Sequence, residues 1–258
     1  MTRTPPNILI LGGRRGGEDE VARVAGVSHK ALAPVAGVPM LARVVATLRA
    51  ALPGARLGIA IDETKDVAAL LATLGELDVV VPGASPCATV ATALSQPELA
   101  PPLLIATADH PLLTPEMVRH FLSKVPADAD AAVALASRET ISARYASRRT
   151  YWRFRDRAVS GCNLFYVGPR RAPEIVAFWQ RLENDRKNPW KMIRHLGPAS
   201  LLLFLFGRLT LAGALDRLGG RVGARVVAVD MPFAEAAIDV DRAADLALAE
   251  TILGSGTR

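Results

Sequence analysis

The stretch NILILGGRRGG, residues 7–17, followed by SHKALAPVAGVPML, residues 28–41, decides the fold. Asn7–Leu11 is a short apolar run bounded by Pro5, Pro6 and Gly12. It is too brief for a helix and reads as a buried strand. A glycine-rich loop leaves the strand, and from Val38 to Leu52 the residues Met40, Leu41, Val44, Val45 and Leu48 recur at helical spacing. Pro39 lies near the first turn of that helix, where a missing N–H costs little. The unit is therefore strand, loop, helix.

Outward from this unit the same rhythm repeats. Arg56–Ile61 and Leu77–Val81 are short β-rich runs with the helix-like Lys65–Leu74 between them. Pro101–Thr107 (PPLLIAT) is another buried strand. The polar ADH after it leads through Thr114, an N-cap ahead of Pro115 and Glu116, into a helix at Pro115–Lys124. Ala131–Ala136 reads as a strand. Strands alternating with helices predict right-handed crossovers and a mostly parallel sheet with helices on both faces, a three-layer α/β architecture. Ligands in such sheets sit beyond the carboxyl ends of the strands, so the loops starting at Gly12 and Ala108 are expected to face one crevice. After Ser137 the rhythm changes. Tyr151–Arg155 and Cys162–Val167 read as strands with no crossover helix, which predicts a small antiparallel extension, and Pro173–Leu182 reads as a helix. Pro189–Leu218 reads as helical, Arg225–Val229 as a strand and Arg242–Leu253 as the last helix. The expectation is one domain over residues 1–253, with a helical insert at 189–220 and a frayed tail at 254–258.

The chain has 258 residues, half of them hydrophobic and only 5% aromatic, which favours aliphatic α/β layers over an aromatic-rich sandwich. Its net charge of +6 and pI near 9.8 are carried mainly by arginine. That balance suits phosphate-bearing ligands, anionic membrane surfaces and nucleic acid equally. With no zinc-finger spacing, no RNP-like aromatic strand and no basic helix with heptads, nucleic acid is not an expected partner. Cys87 and Cys162 stand far apart in no CxxC or Cys/His cluster, as in a reducing compartment. The apolar run in MTRTPPNILILGG is too short for a signal-peptide core, so the expected location is the cytoplasm. The apolar stretch Leu201–Phe206 falls well short of the roughly 20 residues that span a bilayer.

Three groups of residues carry chemistry. A glycine loop lets backbone N–H groups approach a triphosphate closely, and a lysine beyond it neutralises phosphate charge. Gly12, Gly13 and Lys30 stand in those places, the alternative being a glycine turn with a solvated lysine. Neither the GxxxxGK[ST] nor the GxGxxG pattern is present. In ATADHPLLT (Ala106–Thr114) a carboxylate, Asp109, leaves the tip of an apolar strand. Mg²⁺ prefers one or two carboxylates with water and phosphate to a full protein cage, so Asp109 suits it. The alternative, that Asp109 caps the following helix, is weakened by the closer Thr114. His110 is a loop residue, since a neutral imidazole is a poor Mg²⁺ ligand. The third group is AIDVDRAADL (Ala237–Leu246), whose acidic residues precede the last helix.

The strand, the GG loop and the pattern K-x-L-x-P-V-x-G-x-P-M-L (Lys30–Leu41) together resemble the NTP-transferase family typified by molybdenum cofactor guanylyltransferases and sugar-phosphate nucleotidyltransferases. The resemblance implies a Rossmann-like (GT-A-like) fold and an NTP triphosphate held by Leu11, Gly12, Gly13 and Lys30. The family usually has a short R-[ML]-G segment where this chain has RRGGEDEVARVAGVSH, which leaves Arg14 and Arg15 as candidates for its arginine. Asp109 matches the family's D-x-P-L metal site. AIDVDRAADL resembles its D-[IV]-D-T-P-E-D-L segment, implying Asp241 as second metal ligand with Asp239 as runner-up. Arg242 and Ala243 replace the family's Thr-Pro; read locally, Asp241 is an N-cap and Asp245 a first-turn carboxylate. PGASPCATVATAL (Pro82–Leu94) lies where the family reads the base, so Ser85 and Thr89 are candidates for base or ribose contact, or else for a capped helix. SGCNLFYV (Ser160–Val167) resembles the G-x-N segment bordering the acceptor and implies Asn163, unless that amide is purely structural.

The implied activity is Mg²⁺-dependent transfer of a nucleoside monophosphate from an NTP to a phosphorylated small molecule, such as a sugar phosphate, an alcohol phosphate or a cofactor precursor, with release of pyrophosphate. One alternative is a GT-A-like nucleotide-sugar glycosyltransferase, which would want D-x-D where this chain reads ADH; the other is a non-catalytic nucleotide-binding protein. A last feature is the segment Trp179–Arg225, where Trp179, Trp190 and LLLFLF mix with Arg181, Arg186, Lys187, Lys191, Arg194, Arg208, Arg217 and Arg221. Such a mixture suits peripheral contact with an anionic membrane, or else a helical core extension with solvated arginines.

Overall fold

The computed structural model describes residues 5–13, 19–145, 150–185, 202–203 and 206–255. In chain order the strands are β1 (Asn7–Gly12), β2 (Pro34–Val35), β3 (Val38–Pro39), β4 (Leu57–Ile61), β5 (Asp78–Val80), β6 (Leu103–Thr107), β7 (Ala131–Ser137), β8 (Trp152–Arg153), β9 (Ala158–Val167) and β10 (Val226–Asp230). The helices are α1 (Glu20–Ala25), α2 (Met40–Ala51), α3 (Lys65–Thr73), α4 (Pro86–Leu94), α5 (Pro115–Lys124), α6 (Arg138–Ser142), α7 (Ala172–Asp185), α8 (Leu211–Gly220) and α9 (Ala243–Ser255).

The main sheet runs β10-β7-β9-β6-β1-β4-β5, with β8 on β9. β1 is parallel to β4 and β6, β4 to β5, and β7 to β10. Only β9 is antiparallel to its neighbours β6, β7 and β8. The carboxyl ends of the other strands therefore share one edge, and the loops after β1 and β6 open there as the alternation predicts. Register places Leu9 between Gly58 and Ile105. Successive side chains point to opposite faces. Ile8 and Ile10 join Leu41, Val44, Leu48, Met117 and Phe121 under α2 and α5, while Leu9 joins Val90, Ala93 and Val176 under α4 and α7. Two helical layers thus close over the sheet. A third cluster of Val21, Ala33, Val35, Met40, Ile238, Val240 and Ala249 packs α1 and α9 together beside the open edge.

The helices begin where side chains can satisfy their first N–H groups. Thr64, Ser85, Thr114 and Thr210 each accept from the N–H three residues on, and each such cap contributes about 1 kcal/mol. The helix expected from Val38 starts instead at Met40. Val38–Pro39 pairs with Pro34–Val35 in a hairpin whose turn, Ala36 and Gly37, has φ of 47° and 74°. Two positive φ values make the turn that matches strand twist, and Ala36 is held in it from three sides. Its N–H donates to Glu250, while the Arg43 guanidinium donates to the carbonyls of Val35 and Ala36. Half of the helix expected across Pro189–Leu218 lies outside the described residues. Within them, residues 208–210 are not helical, Gly207 has φ of 61°, and α8 starts at Leu211 behind its Thr210 cap. α9 continues to Ser255, past the expected end at Leu253. Among the described residues no helix is long and apolar enough to cross a membrane.

Candidate functional site

The tips of β1 and β6 are joined where the Ala108 N–H donates to the Leu11 carbonyl at 2.9 Å. Gly12 follows in a tight place: a Cβ there would stand 3.2 Å from Ile61 Cδ1 and 3.3 Å from Ala108 Cβ. Gly13 opens the loop; Arg14 and Arg15 lie outside the described residues. The chain re-enters through α1, capped by Asp19 and stopped by Gly26 at φ 65°. His29 Nδ1 then accepts from the Ala31 N–H and starts a 3-10 turn, Lys30–Leu32. That turn fixes the base of the Lys30 side chain.

Lys30 Nζ donates to Asp109 Oδ2 at 2.6 Å and to Asp241 Oδ1 at 3.1 Å. Three residues distant in sequence thus meet at one ammonium. Burial alone would lower the Lys30 pKa, but the Asp109 and Asp241 carboxylates outweigh it and hold the ammonium above the usual lysine value. Asp109 is brought there by the end of β6, and its other oxygen, Oδ1, is buried without a hydrogen-bond partner. Asp241 comes from the segment before α9, fastened to the same tip by the Val240 N–H donating to the Asp109 carbonyl at 2.9 Å. Asp245 is the first-turn carboxylate of α9 and its Oδ2 accepts from the Arg242 N–H at 3.0 Å, while the Asp241 carboxylate turns to Lys30.

Both carboxylates already face one cation, the Lys30 ammonium. The orphaned Asp109 Oδ1 adds a hard oxygen with unused capacity, as a Mg²⁺ ligand requires. Among the described residues no cluster of three or more His, Cys, Asp or Glu could hold a metal. The set fits an ion that takes its other ligands from phosphate and water, rather than one held in a protein cage.

The remaining candidates divide. Asp239, the runner-up ligand, accepts from Asn163 Nδ2 at 2.9 Å. Ser85 caps α4, and Thr89 is buried, its hydroxyl donating to the Ser85 carbonyl and accepting from the Gly83 N–H. The Thr89 hydroxyl is thus engaged inside its own loop, where it holds the turn at Gly83. A Cβ on Gly83 would come within 2.8 Å of Ala88 Cβ, so that turn also needs its glycine.

Sequence reasoning missed a network beside the site. Glu235 Oε1 accepts from Tyr145 Oη at 2.7 Å and from Arg144 Nη1 at 2.8 Å, and its carbonyl lies 3.4 Å from His110 Nε2. Burial and the Glu235 contact push the Tyr145 phenol up to about 12. Burial would raise Glu235, but the hydrogen bond from Tyr145 and the Arg144 charge outweigh it and hold the carboxyl below its usual value. No local pattern announces residues 90 positions apart. A cleft of about 540 Å³ between α5 and β10, lined by His120, Lys124, Ser137, Thr140, Arg157 and Asp230 among others, contains none of the site residues. Much of its polar lining is paired internally, Arg157 with Asp230 and Ser137 with Thr140.

Comparison with known proteins agrees with this arrangement. Residues 10–196 match the MobA-like NTP transferase domain. A hypothetical transferase from Thermus thermophilus is similar along 94% of this chain and 100% of its own, at 30% identity and a TM-score of 0.78. CMP:2-keto-3-deoxy-manno-octonic acid synthetase complexed with CTP shares the fold at 13% identity and a TM-score of 0.59, over 98% of this chain and 100% of its own. 4-Diphosphocytidyl-2C-methyl-D-erythritol synthase from Anaerococcus prevotii does so at 10% identity and a TM-score of 0.56, over 96% and 99%. No curated protein sequence matches the chain. With its glycine loop, its lysine and the sheet that presents them, the chain belongs to the MobA-like NTP transferase family and is a nucleotidyltransferase.

Proposed function

We propose that the chain transfers a nucleoside monophosphate from an NTP to a phosphorylated small molecule, with Asp109 and Asp241 holding Mg²⁺ and pyrophosphate leaving. The observation that carries this reading is the meeting of Lys30, Asp109 and Asp241 at the carboxyl edge of the sheet. When bound, the metal neutralises phosphate charge and polarises the α-phosphate. The Gly12–Gly13 turn offers its backbone to the triphosphate, and Lys30 moves its ammonium from the carboxylates to the phosphates. An oxygen of the acceptor phosphate, already ionised at neutral pH, attacks the α-phosphorus in line. The new O–P bond forms as the bond to the bridging oxygen breaks, and pyrophosphate leaves with that electron pair. Such a step needs positioning and charge neutralisation more than a general base. The family match favours this chemistry over a nucleotide-sugar glycosyltransferase, and the intact charge cluster favours it over a non-catalytic nucleotide binder.

The test is a panel of the four NTPs with Mg²⁺, scored for pyrophosphate release against phosphorylated alcohols and sugars. Release with at least one pair, abolished by EDTA, is the expected result. Pyrophosphate release that persists in EDTA would overturn the metal assignment.

A further inference from the structure

We propose that Asn163 is a positioning residue: its amide draws Asp239 aside so that Asp241 alone completes the site with Asp109. The inference rests on the reading of Asp109 and Asp241 as the metal-side pair. Ile238 and Val240 are fully buried while Asp239 and Asp241 are not, so the segment alternates and turns both carboxylates away from the core. Asp241 shares the Lys30 ammonium with Asp109, and Asp239 stands two residues from Asp241. Like charges at this spacing repel, and two neighbouring carboxylates compete for one cation.

The chain answers this with an unusual residue. β9 pairs with β7 at Gly161↔Leu135 and again at Phe165↔Val133, so three β9 residues stand opposite one of β7. Its pairing with β6 ends at Leu164↔Ala106, one residue short of Asn163. The bulge therefore falls at the strand tip that bears Asp109. Within it Asn163 has φ of 51°, a left-handed conformation that asparagine tolerates better than other residues with a side chain. Bulges of this kind re-aim a side chain next to active sites. Here the re-aimed group is the Asn163 amide, which donates to Asp239 Oδ2 at 2.9 Å. A hydrogen bond to an ionised carboxylate is about twice as strong as a neutral one. Both properties are needed, because glycine supplies the backbone without the donor, and aspartate the shape with the wrong charge.

Mn²⁺ binding, read by the loss of free-ion EPR signal, tests this alongside thermal unfolding. N163D sets two carboxylates face to face and is expected to weaken Mn²⁺ binding about 10–100-fold, the usual effect of losing a partner that orients a metal ligand. N163G keeps the backbone and is expected to weaken it with little change in Tm, which separates positioning from folding. The double variant N163D/D239N restores an amide–carboxylate pair with its ends exchanged, and recovers most of the affinity. Wild-type binding abolished by D109N but indifferent to N163D and N163G, or a double variant no better than N163D, overturns this inference alone. No Mn²⁺ site in the wild type, or one indifferent to D109N, overturns the Asp109–Asp241 reading and this inference with it.

Discussion

Asp109 places one oxygen on the Lys30 ammonium and keeps the other buried with no partner, an arrangement that serves a cation better than it serves stability. Asp109→Asn retains the shape and removes the charge. Its Tm is expected to stay within a few degrees of wild type while kcat falls about a thousandfold, the scale of several kcal/mol of lost charge stabilisation. Steady-state kinetics beside a melting curve checks both halves. Lys30 adds a pH test. Its folded pKa is raised, so the stability it gains from the carboxylates is fully present below the unfolded value of 10.5 and is lost as pH rises through the higher folded value. The Tm difference between wild type and Lys30→Met is therefore expected to hold constant from neutral pH to about 10.5 and to shrink only beyond it. A difference already gone at pH 9 would mean that the carboxylates do not hold the Lys30 pKa above its unfolded value.

At the scale of elements, the 3-10 turn Ala234–Ala237 carries Glu235 to the short helix α6 and its follower Tyr145. Tyr145→Phe removes one hydrogen bond to a charged acceptor and is expected to cost about 1–2 kcal/mol of unfolding free energy. Glu235 has a depressed folded pKa, so this contribution is present above its unfolded value of 4.5 and fades as pH falls through the lower folded one. Urea titrations at neutral pH and below 4.5 measure the change. These ties also show what a sequence displays and what it hides. β1, the glycine loop and the Lys30 turn are legible because their pattern is local: an apolar run, a break, then helical spacing. Asp109 is legible because it stands alone at the tip of an apolar strand. The hairpin of β2 and β3 is hidden because two-residue strands have no alternation to read. Glu235 and Tyr145 are hidden because only the fold brings them together. Thr89 shows the limit of a local pattern: a hydroxyl four residues past a cap looks the same whether it faces a ligand or turns back on its own loop.

Across the whole molecule, the described residues of the basic and apolar segment from 179 to 225 divide into an inward and an outward part. Trp179 packs against Phe165, ring centroids 5.0 Å apart, and so belongs to the core side. Leu202, Phe206 and Trp152 are exposed, and the backbone of Arg155 is tied to Leu209, which brings β8 beside the outward part. We propose that this apolar, arginine-bearing surface rests on anionic lipid, and flotation with phosphatidylserine vesicles at low salt is expected to carry the protein upward more than with neutral vesicles. Phe206→Glu should abolish the difference; equal recovery on both vesicle types would refute the contact. The sheet itself has a seam. β9 holds β6 on one edge and β7 on the other, with Phe165 opposite both Ile105 and Val133, and among the described residues every strand-to-strand bond between the two halves of the sheet passes through it. During synthesis β6 and β7 therefore wait with open edges until residues 158–167 arrive, and the molecule cannot loosen one half from the other without releasing this strand. In hydrogen–deuterium exchange the amides of Leu164, Phe165 and Tyr166 should open only with global unfolding, while those of the edge strand β5 exchange through local fraying.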